Sequence, residues 1–198
     1  MPKIDFWFEF ASTYSYLAAM RIGDMARTAG VEVVWRPFML GPIFKAQGFD
    51  TSPFNVFLEK GAYMWRDMDR ICAERGLPLT PPDPFPQNGL YAARLALIGA
   101  HEGWAEEFTK AVYTAQFGGG VQISDKQALT KILDDIGQDG EGLLTRIEDT
   151  SIKEALKKQT EQALAIGVFG APTFITESDE MFWGDDRLEQ ALDWATGK

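Results

Sequence analysis

"FEFASTYSYLAAMR", residues Phe8 to Arg21, carries a strand into a helix across a turn that holds two hydroxyls, Ser12 and Ser15. Upstream, "KIDFWFEF" alternates Ile4, Phe6, Phe8 and Phe10 with Asp5, Trp7 and Glu9, the period of a strand. Downstream, the pattern predicts a helix from about Thr13 to Ala29, stopped by Gly30. "VEVVWRPF" then reads as a second strand ended by Pro37. Two strands joined through a helix form a βαβ unit, whose crossover implies parallel pairing.

The middle of the chain changes character. From about Ser52 to Arg75, Phe54, Phe57, Leu58, Trp65, Met68 and Cys72 recur at helical spacing. "LPLTPPDPFPQN" is a proline-rich connector, expected to be extended. Helical spacing resumes with Leu90, Ala93, Leu97 and Ile98, and again from Trp104 to Ala115, until Gly118–Gly120 breaks it. No Lys-Ser/Thr follows these glycines, so they read as a hinge or helix stop rather than a phosphate cradle. "SDKQ" at Ser124 and "SIKE" at Ser151 fit capping boxes. At the end, "PTFITES" and "MFWG" flank Asp179 and Glu180 as a short hairpin, and a helix is expected from about Asp186 to Ala195. The order βαβ, helices, ββα is that of a thioredoxin-like α/β fold with a large all-helical insertion. The expected division is 1–45 with 168–198 for the thioredoxin-like part and 46–167 for the inserted helices.

Composition narrows the function. A chain of 198 residues with 45% apolar residues can build a proper core. A net charge of −10 with no basic stripe argues against nucleic acid. No apolar run approaches the roughly 20 residues of a membrane span, and the start lacks the pattern of a signal peptide; a soluble, cytoplasmic protein is expected. One cysteine, Cys72, and one histidine, His101, leave no cysteine-based zinc site and no internal disulfide. Cys72 falls at a helical apolar position and reads as a buried thiol, while His101 precedes Gly103 in what reads as a helix C-terminus. No G-x-S-x-G surrounds Ser12 or Ser15.

In sheets of this kind ligands gather at the carboxyl ends of strands, beside helix N-termini. A hydroxyl in "ASTYS" can cap the helix, stabilise an anion or act as a nucleophile. On residues alone, capping is the stronger reading.

"FEFASTYSYLAAMR", with "FNVFLEKGAYMWRDM", "GVFGAPTFI" and "FWGDDRL" in order along the chain, resembles the 2-hydroxychromene-2-carboxylate isomerases, relatives of kappa-class glutathione transferases in the DsbA-like branch of the thioredoxin superfamily. Ser12-Thr13-Tyr14-Ser15 stands where redox members carry Cys-x-x-Cys, which excludes disulfide exchange. The resemblance implies a glutathione-dependent isomerase, with glutathione as cofactor, an aromatic carboxylate as substrate and a homodimer as assembly. It implies that Ser12 holds the glutathione sulfur as a thiolate, that Lys60 pairs with a glutathione carboxylate, and that Ala171 offers backbone groups to the peptide. Pro172 matches a cis-proline facing the turn, and Asp185 and Asp186 match the γ-glutamyl end, Asp186 suiting the α-ammonium. Thr51 and Asn55 are candidates for substrate contact, and Arg36 and Arg66 for the substrate carboxylate, with surface ion pairs as the competing reading. The aromatic supply of the helices suits an aromatic ligand, although most of it must be core. Two departures stand out: Thr13 where relatives commonly carry proline, and Asp50 where they often carry asparagine. A kappa-like transferase or peroxidase, and a non-catalytic glutathione- or peptide-binding protein, are the alternative readings.

Overall fold

The computed structural model describes residues 1–198. Strand β1 (Lys3–Phe8) lies inside a four-stranded sheet of order β2-β1-β3-β4, with β2 at Glu32–Pro37, β3 at Thr173–Thr176 and β4 at Met181–Trp183. β1 runs parallel to β2, pairing Phe6 with Trp35, and antiparallel to β3, pairing Phe6 with Phe174. β4 closes the sheet antiparallel to β3.

Alternation along β1 decides both layers. Ile4, Phe6 and Phe8 point into a core of 40 buried residues, where Phe6 stacks on Phe8 and Phe174. Each fully buried phenylalanine contributes about 2–3 kcal/mol of transfer free energy. Trp7 and Ile175 face the other side, with Phe38, Ile43, Ala163 and Val168. Both faces of β1 are therefore covered.

Helix α1 (Thr13–Ala29) connects β1 to β2 and ends at Gly30, whose φ of 70° is the left-handed geometry that glycine adopts without a Cβ clash. A short helix α2 (Leu40–Ala46) follows β2, where sequence gave no helical signal. The helix expected from Ser52 splits at Phe57, which sits at φ −106°, ψ 92° between α3 (Pro53–Val56) and α4 (Leu58–Arg75). The proline-rich connector forms no regular element before α5 (Leu90–Glu102). α6 (Ala105–Tyr113) runs on into a π-helical turn, Thr114–Gly118, so the glycine run does end a helix. α7 (Lys126–Asp135), α8 (Gly140–Arg146) and α9 (Thr150–Ala165) complete the helical segment. A 3-10 turn at Asp185–Arg187 leads into α10 (Leu188–Ala195).

Two caps differ from expectation. Asp125, not Ser124, caps α7, because its carboxylate reaches the Gln127 N–H at 2.9 Å. Ser151 lies inside α9, whose capping position is Asp149. Cys72 is 2% exposed, and burial raises its thiol pKa. His101 occupies the last turn of α5, ahead of Gly103 at φ 88°. No helix is long and apolar enough to cross a membrane.

Candidate active site

β1 ends at Phe8, so Phe10 belongs to the turn rather than the strand. Its ring packs against Tyr113, 5.2 Å between centroids, and that tyrosine's hydroxyl donates to the Glu9 carbonyl at 2.8 Å. The same carbonyl accepts from the Ser12 N–H at 3.0 Å, which closes the turn. The turn is thereby fixed between the sheet and α6, and Ser12 is placed at the N-cap of α1.

The Ser12 hydroxyl has two partners. Its oxygen accepts from the Ser15 N–H at 3.1 Å, and its hydrogen is donated to the Ala171 carbonyl at 3.0 Å. Ala171 precedes Pro172 through a cis peptide bond and leads into β3. The Ala171 N–H has no partner within the chain. The capping reading of Ser12 therefore holds, and the same atom also faces a cavity.

A cleft of about 850 Å³ opens over this turn. Glu9, Ser12 and Ala171 line it from the sheet side, Phe44 and Phe54 from α2 and α3, Phe85 from the proline-rich connector, and Phe169 and Trp183 from the segments flanking β3. α1 has no acidic residue in its first turn, and the Thr13 and Tyr14 N–H groups have no intrahelical acceptor there. The positive end of a helix of 17 residues thus points at the cleft and favours an anion. Lys60 is the one cationic side chain lining the cleft; it is exposed, with Nζ 5.0 Å from the centroid of the Phe57 ring and no carboxylate partner. Thr13, in the position that departs from the family pattern, is buried and turns its hydroxyl to the Met64 sulfur at 3.2 Å.

The two neighbouring aspartates differ. Asp185 lines the cleft but is 4% exposed, and its carboxylate is held by Arg21 at 3.0 Å and Arg75 at 2.8 Å. That carboxylate ties α1 and α4 to the start of α10 and is not free for a ligand. Asp186 is exposed, with only a loose 3.6 Å contact to Arg187, so it is the available carboxylate of the pair. Gly184 permits this turn: its φ is 108°, and a Cβ there would sit 2.6 Å from Asp186 Oδ1.

Thr51 lines the cleft, whereas Asn55 does not and donates to Thr51 Oγ1 and to the Phe85 carbonyl, each at 3.3 Å. Arg36 does not reach the site. It sits on β2, pairs with Asp5 at 3.2 Å and stacks over Trp7 on the opposite sheet face. Arg66 points into solvent from α4, 3.9 Å from Asp69. The competing reading, surface ion pairs, describes both arginines.

Three ionisable groups of the cleft were missed in the sequence. The Tyr14 hydroxyl donates to Asp67 at 3.0 Å, and burial, reinforced by that carboxylate, holds the phenol pKa well above its ordinary value. Glu9 is 6% exposed; burial pushes its carboxyl up to about 8, against a lowering by the Ala11 N–H that donates to Oε2 at 2.9 Å. In an alternating strand a polar position reads as solvent-facing, so Glu9 gave no signal beyond its distance of three residues from Ser12.

Residues 3–193 match the model of the DSBA-like thioredoxin domain. The chain is similar to a 2-hydroxychromene-2-carboxylate isomerase of Sphingobium xenophagum, 33% identical over 187 residues that cover 94% of each chain. It is also 30% identical to one of Pseudomonas putida, over 93% of this chain and 90% of that one. A solved structure of a 2-hydroxychromene-2-carboxylate isomerase superposes with a TM-score of 0.86 at 28% identity, covering 98% of this chain and 94% of the other.

Proposed function

This chain belongs to the DSBA-like thioredoxin-domain family and, within it, to the 2-hydroxychromene-2-carboxylate isomerases, and we propose that it is a glutathione-dependent isomerase interconverting a 2-hydroxychromene-2-carboxylate, or a related aromatic 2-oxo acid, with its trans-benzylidenepyruvate form. The observation that carries the reading is Ser12: a hydroxyl at the uncompensated N-terminus of α1, opposite Ala171, in a cleft with aromatic walls.

Groups left unpaired in the cleft fit glutathione. The Ala171 N–H suits a peptide carbonyl, Lys60 a carboxylate and Asp186 an ammonium. When bound, glutathione would supply a thiolate nucleophile able to add reversibly to the carbon conjugated with the 2-oxo-carboxylate, which would leave a single bond free to rotate. The residues of this chain create the conditions for that chemistry. The helix N-terminus and a hydroxyl donor both lower the free energy of a thiolate relative to a thiol. Phe44, Phe54, Phe85 and Trp183 offer apolar surface for an aromatic ring. With Arg36 and Arg66 outside the cleft, Lys60 and the α1 N-terminus are its sources of positive potential.

The test combines binding and turnover. Glutathione at millimolar concentration is expected to raise the melting temperature through linkage, and the loaded protein is expected to isomerise a benzylidenepyruvate. No thermal shift and no turnover would refute the reading. Conjugation of a chlorodinitrobenzene-type electrophile without isomerisation would transfer the assignment to a kappa-like transferase.

A further inference from the structure

Glu9 is the buried group that the reading above leaves without a task. It lines the cleft, three residues before Ser12, and no cation pairs with its carboxyl. The two oxygens are not equivalent. Oε2 accepts the Ala11 N–H, so it is the carbonyl-like oxygen of a neutral acid. Oε1 has no partner within the chain, is not among the buried unpartnered atoms sealed in protein, and faces Gly89, where an added Cβ would stand 3.3 Å away. A neutral Glu9 therefore carries its proton on the oxygen turned toward the cavity. Burial keeps it neutral, since its carboxyl titrates at about 8. The ionisable group packed directly against it is Tyr113, whose phenol is itself held protonated by burial. Those sharing the cleft are Tyr14, Asp50, Lys60, Asp67, Asp185 and Asp186.

A cyclic 2-hydroxychromene carries a hydroxyl and a ring oxygen on one carbon, and it must open before its double bond can rotate freely. We propose, on the isomerase reading above, that Glu9 is the proton carrier for this opening, its Oε1–H protonating the ring oxygen as the bond from that oxygen to the hydroxyl-bearing carbon breaks. The bonding pair leaves with the ring oxygen, which becomes a phenol. The neighbouring hydroxyl forms the carbon–oxygen double bond and gives its proton to the Glu9 carboxylate. Glu9 ends protonated as it began, nothing is oxidised or reduced, and no co-reactant is needed. A carboxylic acid held neutral at physiological pH by an apolar site is a recognised catalytic donor.

Glu9→Gln keeps the size, the neutrality and an acceptor for the Ala11 N–H but has no acidic proton. Starting from the cyclic substrate, kcat is expected to fall by about 100-fold or more while KM stays within about threefold, and Glu9→Asp is expected to recover part of the loss. The wild-type rate is expected to decline above pH about 8, and this limb to vanish in Glu9→Gln. Independently of turnover, the infrared carbonyl band of a protonated carboxyl is expected at neutral pH in the wild type, titrating near pH 8 and absent from Glu9→Gln. A Glu9→Gln rate within about threefold of wild type, or no such band at neutral pH, would overturn the proposal while leaving the isomerase reading intact. A wild type inert toward the cyclic substrate with glutathione present would overturn both. Should Glu9→Gln fail to fold, the wild-type profile decides: a decline above about pH 8 supports the role and a flat profile refutes it.

Discussion

The Ser12 hydroxyl donates to the Ala171 carbonyl at 3.0 Å, joining the start of α1 to the loop before β3 across 159 residues of chain. A hydroxyl has one hydrogen, so donation to a bound thiolate requires it to leave Ala171. The exchange trades a neutral hydrogen bond for a charge-assisted one, roughly twice as strong. Capping the helix and, under the proposed function, receiving an anion are therefore separable tasks of Ser12.

The capping task predicts a stability loss without ligand. Ser12→Ala removes the acceptor for the Ser15 N–H and leaves the Ala171 carbonyl without its donor. Urea unfolding at neutral pH should show a loss of about 1–2 kcal/mol. A loss near zero would mean that water replaces both bonds at no cost.

Lys60 separates binding from folding. It is exposed and unpaired, so Lys60→Gln should leave the melting temperature of the free protein unchanged. Glutathione affinity by calorimetry should fall about three- to fivefold, the scale of an exposed ion pair, and the difference should shrink with added salt.

Asp185 answers to the opposite logic. Its carboxylate is buried between Arg21 and Arg75, and Asp185→Asn would leave Arg75 without a carboxylate partner and Arg21 with Glu189 alone. The expected cost is about 3 kcal/mol in chemical denaturation, tempered because both arginines keep some solvent contact. An unchanged unfolding midpoint would contradict the structural role given to this residue.

Glu9 makes stability depend on pH. Its folded pKa of about 8 lies above the ordinary value of 4.5, so the unfolded chain releases this proton first. The stability it contributes is complete below about pH 4.5 and is lost as pH rises through about 8. Across that window the loss from this group approaches about 4 kcal/mol. Glu9→Gln should therefore match wild type near pH 4.5 and exceed it at pH 8, measured by urea unfolding at each pH.

Much of this was legible in the sequence because local rules governed it. Phe6, Trp7 and Phe8 alternate onto two buried faces, and Gly30 supplies the positive φ that ends α1, so β1, α1 and β2 followed directly from pattern. The hairpin around Asp179 and Glu180 was equally local. Ser12 was singled out through its motif, and it does line the cleft. Arg36 and Arg66 were misplaced because charge in a sequence does not say which face a side chain takes: Arg36 neighbours Trp35 and so points away from the large core. Glu9 escaped for a tertiary reason. Its burial is created by the Tyr113 end of α6 and by Gly89, both far along the chain. The break at Phe57 and the additional α2 likewise depend on packing rather than on periodicity.

The central claim, that Ser12 holds glutathione as a thiolate, is tested most directly by titrating the ultraviolet thiolate absorbance of the binary complex against pH in wild type and Ser12→Ala. The wild-type complex is expected to lower the glutathione thiol pKa, and Ser12→Ala to raise it again by about one unit, equivalent to about 1.4 kcal/mol, while glutathione still binds. The same titration curve in both proteins, or no thiolate in the saturated wild-type complex near neutral pH, would contradict it.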